Sequence, residues 1–185
     1  MRQSKIIIDT NSYLRIAYTL HPLLKQEFGE EKYCIYSLPD IEKEFDNKID
    51  LHSKFSWFPE SRFKENRKNT IFVDKKQMAD IEDRRAFLTK GANMLRLFDV
   101  SLTDIRCLAY GWVLDFPVVT EDSDMTELAN AFKIKVMKTL ELVKLMYTKK
   151  HITDEQILEL KLYLKGIDEY PKYYHNFFNQ FQKGK

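Results

Sequence analysis

Two short β-branched runs, Ile6-Ile7-Ile8 and Val118-Val119, each break off at an acidic polar turn, and helical spacing resumes directly after each turn. The first turn is Asp9-Thr10-Asn11-Ser12, followed by Tyr13, Leu14, Ile16, Ala17 and Leu20. The second is Glu121-Asp122-Ser123-Asp124, followed by a helix from Met125 to Phe132. An apolar run this short, bounded by turn residues, reads as a strand buried on both faces. Tyr33-Cys34-Ile35-Tyr36 and Ile134-Lys135-Val136-Met137 are two further strands, and Pro39 opens a helix through Asp40 to Phe45. Strands that alternate with helices predict an α/β fold, a three-layer α/β/α arrangement around a central, mostly parallel sheet.

Between these units the pattern changes. From Asn47 to about Thr70, aromatics and charges mix around Pro59 without a sustained period, which reads as a partly irregular inserted segment. Periodicity from about Lys76 to Phe98 predicts one long or two shorter helices. Ser101-Leu102-Thr103-Asp104 has the Ser-x-x-acid form of a helix start, ahead of Ile105, Leu108, Ala109 and Trp112 on one face. After Thr139 the chain reads as helical throughout, with Thr153-Asp154-Glu155-Gln156 as a cap and a last aromatic helix beyond Pro171. The expected organisation is one α/β domain over residues 1–138, carrying an insertion at about 47–98, and a C-terminal helical extension over 139–185.

Composition excludes several classes. The 185 residues carry a net charge of only +2, so charge alone names no partner. The five glycines are never close together, which removes the phosphate loops that need several glycines within a few residues. Cys34 and Cys107 form no CxxC, and the four histidines are scattered, so a zinc site has no support. Buried free thiols, no apolar run of membrane-spanning length and no signal-peptide pattern lead to the expectation of a soluble cytoplasmic protein with no membrane partner.

In an open parallel sheet the functional crevice lies at the carboxyl ends of the strands. Asp9 and Asp122 both follow strands and should emerge on that rim. Asp104 lies in the first turn of the helix before the second of those strands, and Glu44, or alternatively Glu42, lies early in a helix that starts just past a strand. Each could serve only as a cap or a solvated surface acid. Together, four acids converging on one pocket repel one another unless a cation neutralises them, and hard oxygen donors suit Mg2+ or Mn2+.

The ordered series Ile7-Ile8-Asp9-Thr10-Asn11-Ser12-Tyr13-Leu14, Pro39 to Glu44-Phe45, Ser101-Leu102-Thr103-Asp104 with Ala109 behind it, and Val119-Thr120-Glu121-Asp122-Ser123-Asp124-Met125 resembles the PIN-domain nucleases. The resemblance covers about residues 3 to 137. It implies Asp9, Glu44, Asp104 and Asp122 as catalytic, metal-holding acids, with Asn11 or Ser12 supporting Asp9, and Thr120 and Asp124 around them. It implies an endoribonuclease in which one or two Mg2+ or Mn2+ ions activate water against an RNA phosphodiester, with no protein nucleophile. For toxin-type members of the family it also implies an antitoxin protein as partner. The long 47–98 stretch and the helices after Thr139 depart from the minimal toxin pattern.

RNA contacts, single-stranded or structured, would come from Arg62, Lys64, Arg67 and Lys68, with Lys75 and Lys76 near by and Trp57 and Phe58 to stack on bases. The bland reading of that cluster is a solvated surface with hydrophobic anchors. At the C-terminal end Tyr170, Tyr173, Tyr174, Phe177, Phe178 and Phe181 form an aromatic stripe, with Lys172, Lys183 and Lys185 as the accompanying charges. Such a stripe should be covered by the chain's own helices or by a second subunit in a homodimer, or else offer a stacking platform to RNA. The competing function is a PIN-like module that binds RNA or protein without cutting. A phosphatase needing Asp-x-Asp after the first strand is disfavoured by Asn11.

Overall fold

A computed structural model describes residues 3–181. Four parallel strands form one sheet: β1 (Ser4–Ile8), β2 (Tyr33–Tyr36), β3 (Val118–Val119) and β4 (Val136–Met137), in the order β2-β1-β3-β4. Ile7 pairs with Tyr36 on one side and Val118 on the other, so β1 is central and strand order reverses between β1 and β3. Side chains alternate across the sheet as the two-residue strand period requires. Ile6, Ile8, Ile35 and Val119 enter one core, while Ile7, Cys34, Tyr36 and Val118 enter the other.

Helices cover both faces, giving the three-layer α/β/α fold expected from sequence. In chain order they are α1 (Thr10–Ile16), α2 (Asp40–Asn47), α3 (Ile49–Lys54), α4 (Ser61–Arg67), α5 (Lys75–Leu95), α6 (Leu102–Leu114), α7 (Ser123–Ala131), α8 (Thr139–Thr148), α9 (Asp154–Gly166) and α10 (Tyr174–Gln180). The core on the Ile7 face is built with α5, α6 and α7. The core on the Ile6 face joins α1 and α2 to α8, α9 and α10, so the C-terminal helices share one apolar cluster with β1. Among the described residues, no helix is long and apolar enough to cross a membrane.

The inserted segment differs from its irregular reading. It contains α3 and α4, which at six and seven residues are too short to show a helical period. Phe55, Trp57, Phe58 and Phe63 between and within them are all buried in the Ile6-side core. Lys75 to Leu95 is one helix, closed by Arg96 in the left-handed region. The capping boxes at Ser101 and Thr153 form as their sequences require. Of the aromatic stripe, Tyr174, Phe177 and Phe178 are buried in the chain's own core, and Phe181 packs against it. Lys183 and Lys185 lie outside the described residues.

Candidate active site

Every strand is parallel, so the carboxyl edge of the sheet gathers the starts of the helices that follow, and α6, running back toward β3, brings its own start to the same edge. Helix starts carry unpaired N–H groups and the positive end of the helix dipole, which favour carboxylates. The acids meet that need. Asp9 caps α1, its Oδ1 accepting from Ser12 N at 2.6 Å. Asp122 caps α7 through Oδ1 and Met125 N, also 2.6 Å. Asp104, in the first turn of α6, accepts through Oδ2 from Ser101 N at 3.0 Å and Ser101 Oγ at 2.7 Å. Glu44, on α2, faces the same edge, its Oε2 accepting from Thr10 Oγ1 at 2.6 Å and its Oε1 held by Lys48.

One cleft is lined by Ile8, Asp9, Thr10, Leu38, Ile41, Thr103, Asp104 and Cys107. Asp9 and Asp104 thus look into a shared space. A second groove, lined by Asp40, Lys43, Glu44, Asn47, Lys48, Ser101 and Thr103, adjoins it at Thr103. Burial pushes the Asp9 carboxyl up to about 6, against the opposing hydrogen bonds of Thr120 and Ser12, and the charge of Asp104 adds to the rise. Burial likewise raises Asp104, the Ser101 bonds lower it, and the charges of Glu44 and Asp122 raise it. Asp104 is therefore within electrostatic reach of the other three acids. Among the described residues, Glu44 alone of the four has an ion pair, with Lys48.

The donor set is one of hard oxygens, and each aspartate commits one oxygen to a helix start. The remaining oxygens of Asp104 and Asp122, Oδ1 and Oδ2, make no hydrogen bond among the described residues. That chemistry fits Mg2+ or Mn2+. Their arrangement is nonetheless not that of a formed metal site: among the described residues, no three acidic, histidine or cysteine side chains are placed together to hold an ion. Cys107 contributes no thiolate, since burial first and the charges of Asp9, Asp104 and Glu44 after it raise its thiol well above its ordinary value.

The supporting residues divide clearly. Ser12, buried, holds Asp9, whereas Asn11 is exposed on α1. Thr120 is buried between two acids: it stabilises the charged form of Asp9 and accepts from Asp122 N at 3.1 Å. Asp124 is half-buried in the first turn of α7. Glu42 faces away from the site toward Arg67, at 2.7 Å, leaving Glu44 as the helix acid.

The basic cluster is corrected. The Arg67 side chain is 1% exposed, lies 3.5 Å over the Phe58 ring and is bound to Glu42, so it is a core cation and not an RNA contact. Trp57 and Phe58 are buried in the core and cannot stack on bases. Arg62 lies over Phe63, which packs on Tyr18 and His21 beyond the C-terminal end of α1, the end remote from Asp9. Lys64 and Lys68 are exposed, and Lys68 pairs with Glu65.

Sequence reasoning missed Glu121. Its Oε1 accepts from Thr139 N at 2.8 Å and its Oε2 from Lys172 N at 3.0 Å, tying the Asp122 turn to α8 and to the C-terminal segment. Glu169 adds a second tie, to Arg15 of α1 and Lys54 of α3. Nothing in the local pattern around Glu121 signals partners so distant in sequence. Compared with known protein families and with curated proteins, the chain matches none.

Proposed function

We propose that this chain is a metal-dependent ribonuclease of the PIN type, hydrolysing RNA phosphodiester bonds at the carboxyl edge of its sheet. The observation that carries the reading is the placement of Asp9 and Asp104 in one cleft at the β1/β3 switch point with Glu44 and Asp122 within electrostatic reach of Asp104, only Glu44 of the four being ion-paired among the described residues. The motif order described above supports the same assignment. Asp9, Asp104 and Asp122 would hold Mg2+ or Mn2+, with Glu44 reaching it directly or through water. When bound, the ion supplies an activated water and offsets charge on the phosphate and leaving oxygen.

The residues of the chain do the rest. Asp9 and Asp122 are aimed by backbone N–H groups of the helices they cap, which fixes their rotamers before substrate arrives. Thr120 couples the two turns, and the apolar walls Ile8, Leu38 and Ile41 limit water around Asp9. Lys43 and Asn47 lie in the adjoining groove, where a polyanionic strand would approach.

That no three acidic, histidine or cysteine side chains are placed to hold an ion among the described residues favours the second reading, a module that binds RNA without cutting it. One experiment separates them. Wild-type protein with a labelled single-stranded RNA should cleave it with Mn2+ and not with EDTA, and Asp9→Asn and Asp122→Asn should abolish cleavage. Intact RNA at millimolar Mn2+ with undiminished binding would assign the protein to the binding class.

A further inference from the structure

We propose a nucleobase-binding recess between α8 and α10, assigned to an unpaired base of the RNA strand beyond the acid edge. The assignment rests on the ribonuclease reading above. The recess has a volume of about 280 Å³ and an apolar floor of Leu140 and Phe177. Tyr173 forms one wall, and Asn176, Gln180 and Lys144 stand on its rim. An aromatic face, two amides and a cation are the groups that take a base: stacking on the ring, hydrogen bonds from the amides to the base edge, and attraction of the flanking phosphate. Glu141 also lines the recess, with its Oε2 engaged by Lys138 N at the start of α8.

Tyr173 stands immediately before α10. It sits in the left-handed region at φ 69°, a conformation that disfavours any residue with a Cβ other than Asn or Asp. Burial does not account for it, because Tyr173 is 50% exposed while its neighbours Tyr174 and Phe177 are buried. The Lys172 ammonium lies 5.1 Å from the centre of its ring. A glycine or asparagine would relieve the backbone, so what the tyrosine adds is its ring at the mouth of the recess.

The recess is continuous with the acids through a short chain of bonds. Glu121, next to Asp122, binds both Thr139 at the start of α8 and Lys172 beside Tyr173. Thr139 Oγ1 donates to Oγ of Ser12, the residue that holds Asp9, at 3.1 Å. The C-terminal segment therefore stands as a wall of the same edge.

The test uses the cleavage-silent Asp9→Asn protein and a fluorescein-labelled single-stranded oligoribonucleotide, with binding read by anisotropy. Adding Tyr173→Asn should weaken binding about tenfold, the lower range for losing one stacked base, without lowering the melting temperature. Tyr173→Phe should restore affinity, and Asn176→Ala should weaken it. An oligomer with abasic sites should bind Asp9→Asn and the double variant equally. Unchanged RNA affinity in both Tyr173→Asn and Asn176→Ala overturns the recess, and if wild type still cleaves RNA with Mn2+, the ribonuclease reading survives it. Absence of both RNA binding and Mn2+-dependent cleavage overturns the ribonuclease reading and the recess with it.

Discussion

Replacing Asp9 by asparagine is expected to stabilise the metal-free protein while removing the proposed activity. Burial lifts the Asp9 carboxyl from 3.8 to about 6. That displacement corresponds to about 3 kcal/mol at neutral pH, the cost of keeping the group ionised in the fold. Asparagine removes the cost and can still accept from Ser12 N through Oδ1, a cap of similar quality to aspartate. Loss of the favourable charge at the start of α1 returns up to about 1 kcal/mol. A net gain of about 1–3 kcal/mol remains, or about 2–10 °C for a chain of this size.

The pH dependence follows with a definite sign. A carboxyl whose folded pKa is raised holds its proton more tightly in the fold than in the unfolded chain. Stability therefore falls as pH rises from about 4 through about 6, and the loss is complete above that. The upward shift of Asp104 acts in the same direction. Melting curves in EDTA from pH 4 to 8 should show wild type losing stability relative to Asp9→Asn over this window. Mn2+ at a hundredfold excess over its Kd should then stabilise wild type by about 2.7 kcal/mol and leave the variant unmoved. A variant that melts below wild type at pH 7 in EDTA would refute the argument, because the Asp9 charge would then be stabilising.

Asp104→Asn should leave circular dichroism native and abolish RNA cleavage, since asparagine keeps an acceptor for Ser101 N but not the charge; cleavage within a few-fold of wild type would reduce Asp104 to a cap. Arg67→Ala should cost about 2–4 kcal/mol in chemical denaturation, from lost packing on Phe58 and a severed bond to Glu42, with RNA affinity unchanged; the opposite pattern would return Arg67 to a surface role. Gly111→Ala should lower the melting temperature, because the new Cβ would collide with Val118 Cγ2 and lie 3.1 Å from Phe116 O. Overpacking of this kind costs about 1–3 kcal/mol and outweighs the gain in helix propensity of about 1 kcal/mol; a melting temperature at or above wild type would show that α6 can shift away from β3.

The two central strands were legible because β1 and β3 are apolar on both faces and break off at acidic turns, a pattern that needs no tertiary information. The capping boxes at Ser101 and Thr153 were legible for the same local reason. What was hidden is tertiary. Arg67, Trp57 and Phe58 carry no local mark of burial, because α3 and α4 are too short to show a face and their aromatics fill the core beside α1. In the site, the positions of the acids along the chain were readable, while the choice of Glu44 over Glu42 depended on which side of α2 Arg67 occupies. Thr10 and Glu121 act through partners far along the chain, and no spacing rule reaches them.

Capping and ligation are not rival roles for these aspartates. A carboxylate has two oxygens, and a helix start engages one of them, as at Asp104 and Asp122. The engaged oxygen fixes the rotamer, while the other stays available to a cation. Glu44 differs, because Thr10 holds one of its oxygens and Lys48 the other. Lys48 already balances the charge of Glu44 and repels a cation brought into direct contact, whereas a bridging water can donate to a remaining lone pair with both bonds kept. On the proposed reading this makes Glu44 the acid reached through water. Glu44→Gln should then weaken Mn2+ binding less than Asp122→Asn does, and calorimetry on the two variants gives the order directly; an equal or larger loss at Glu44 would make it a direct ligand.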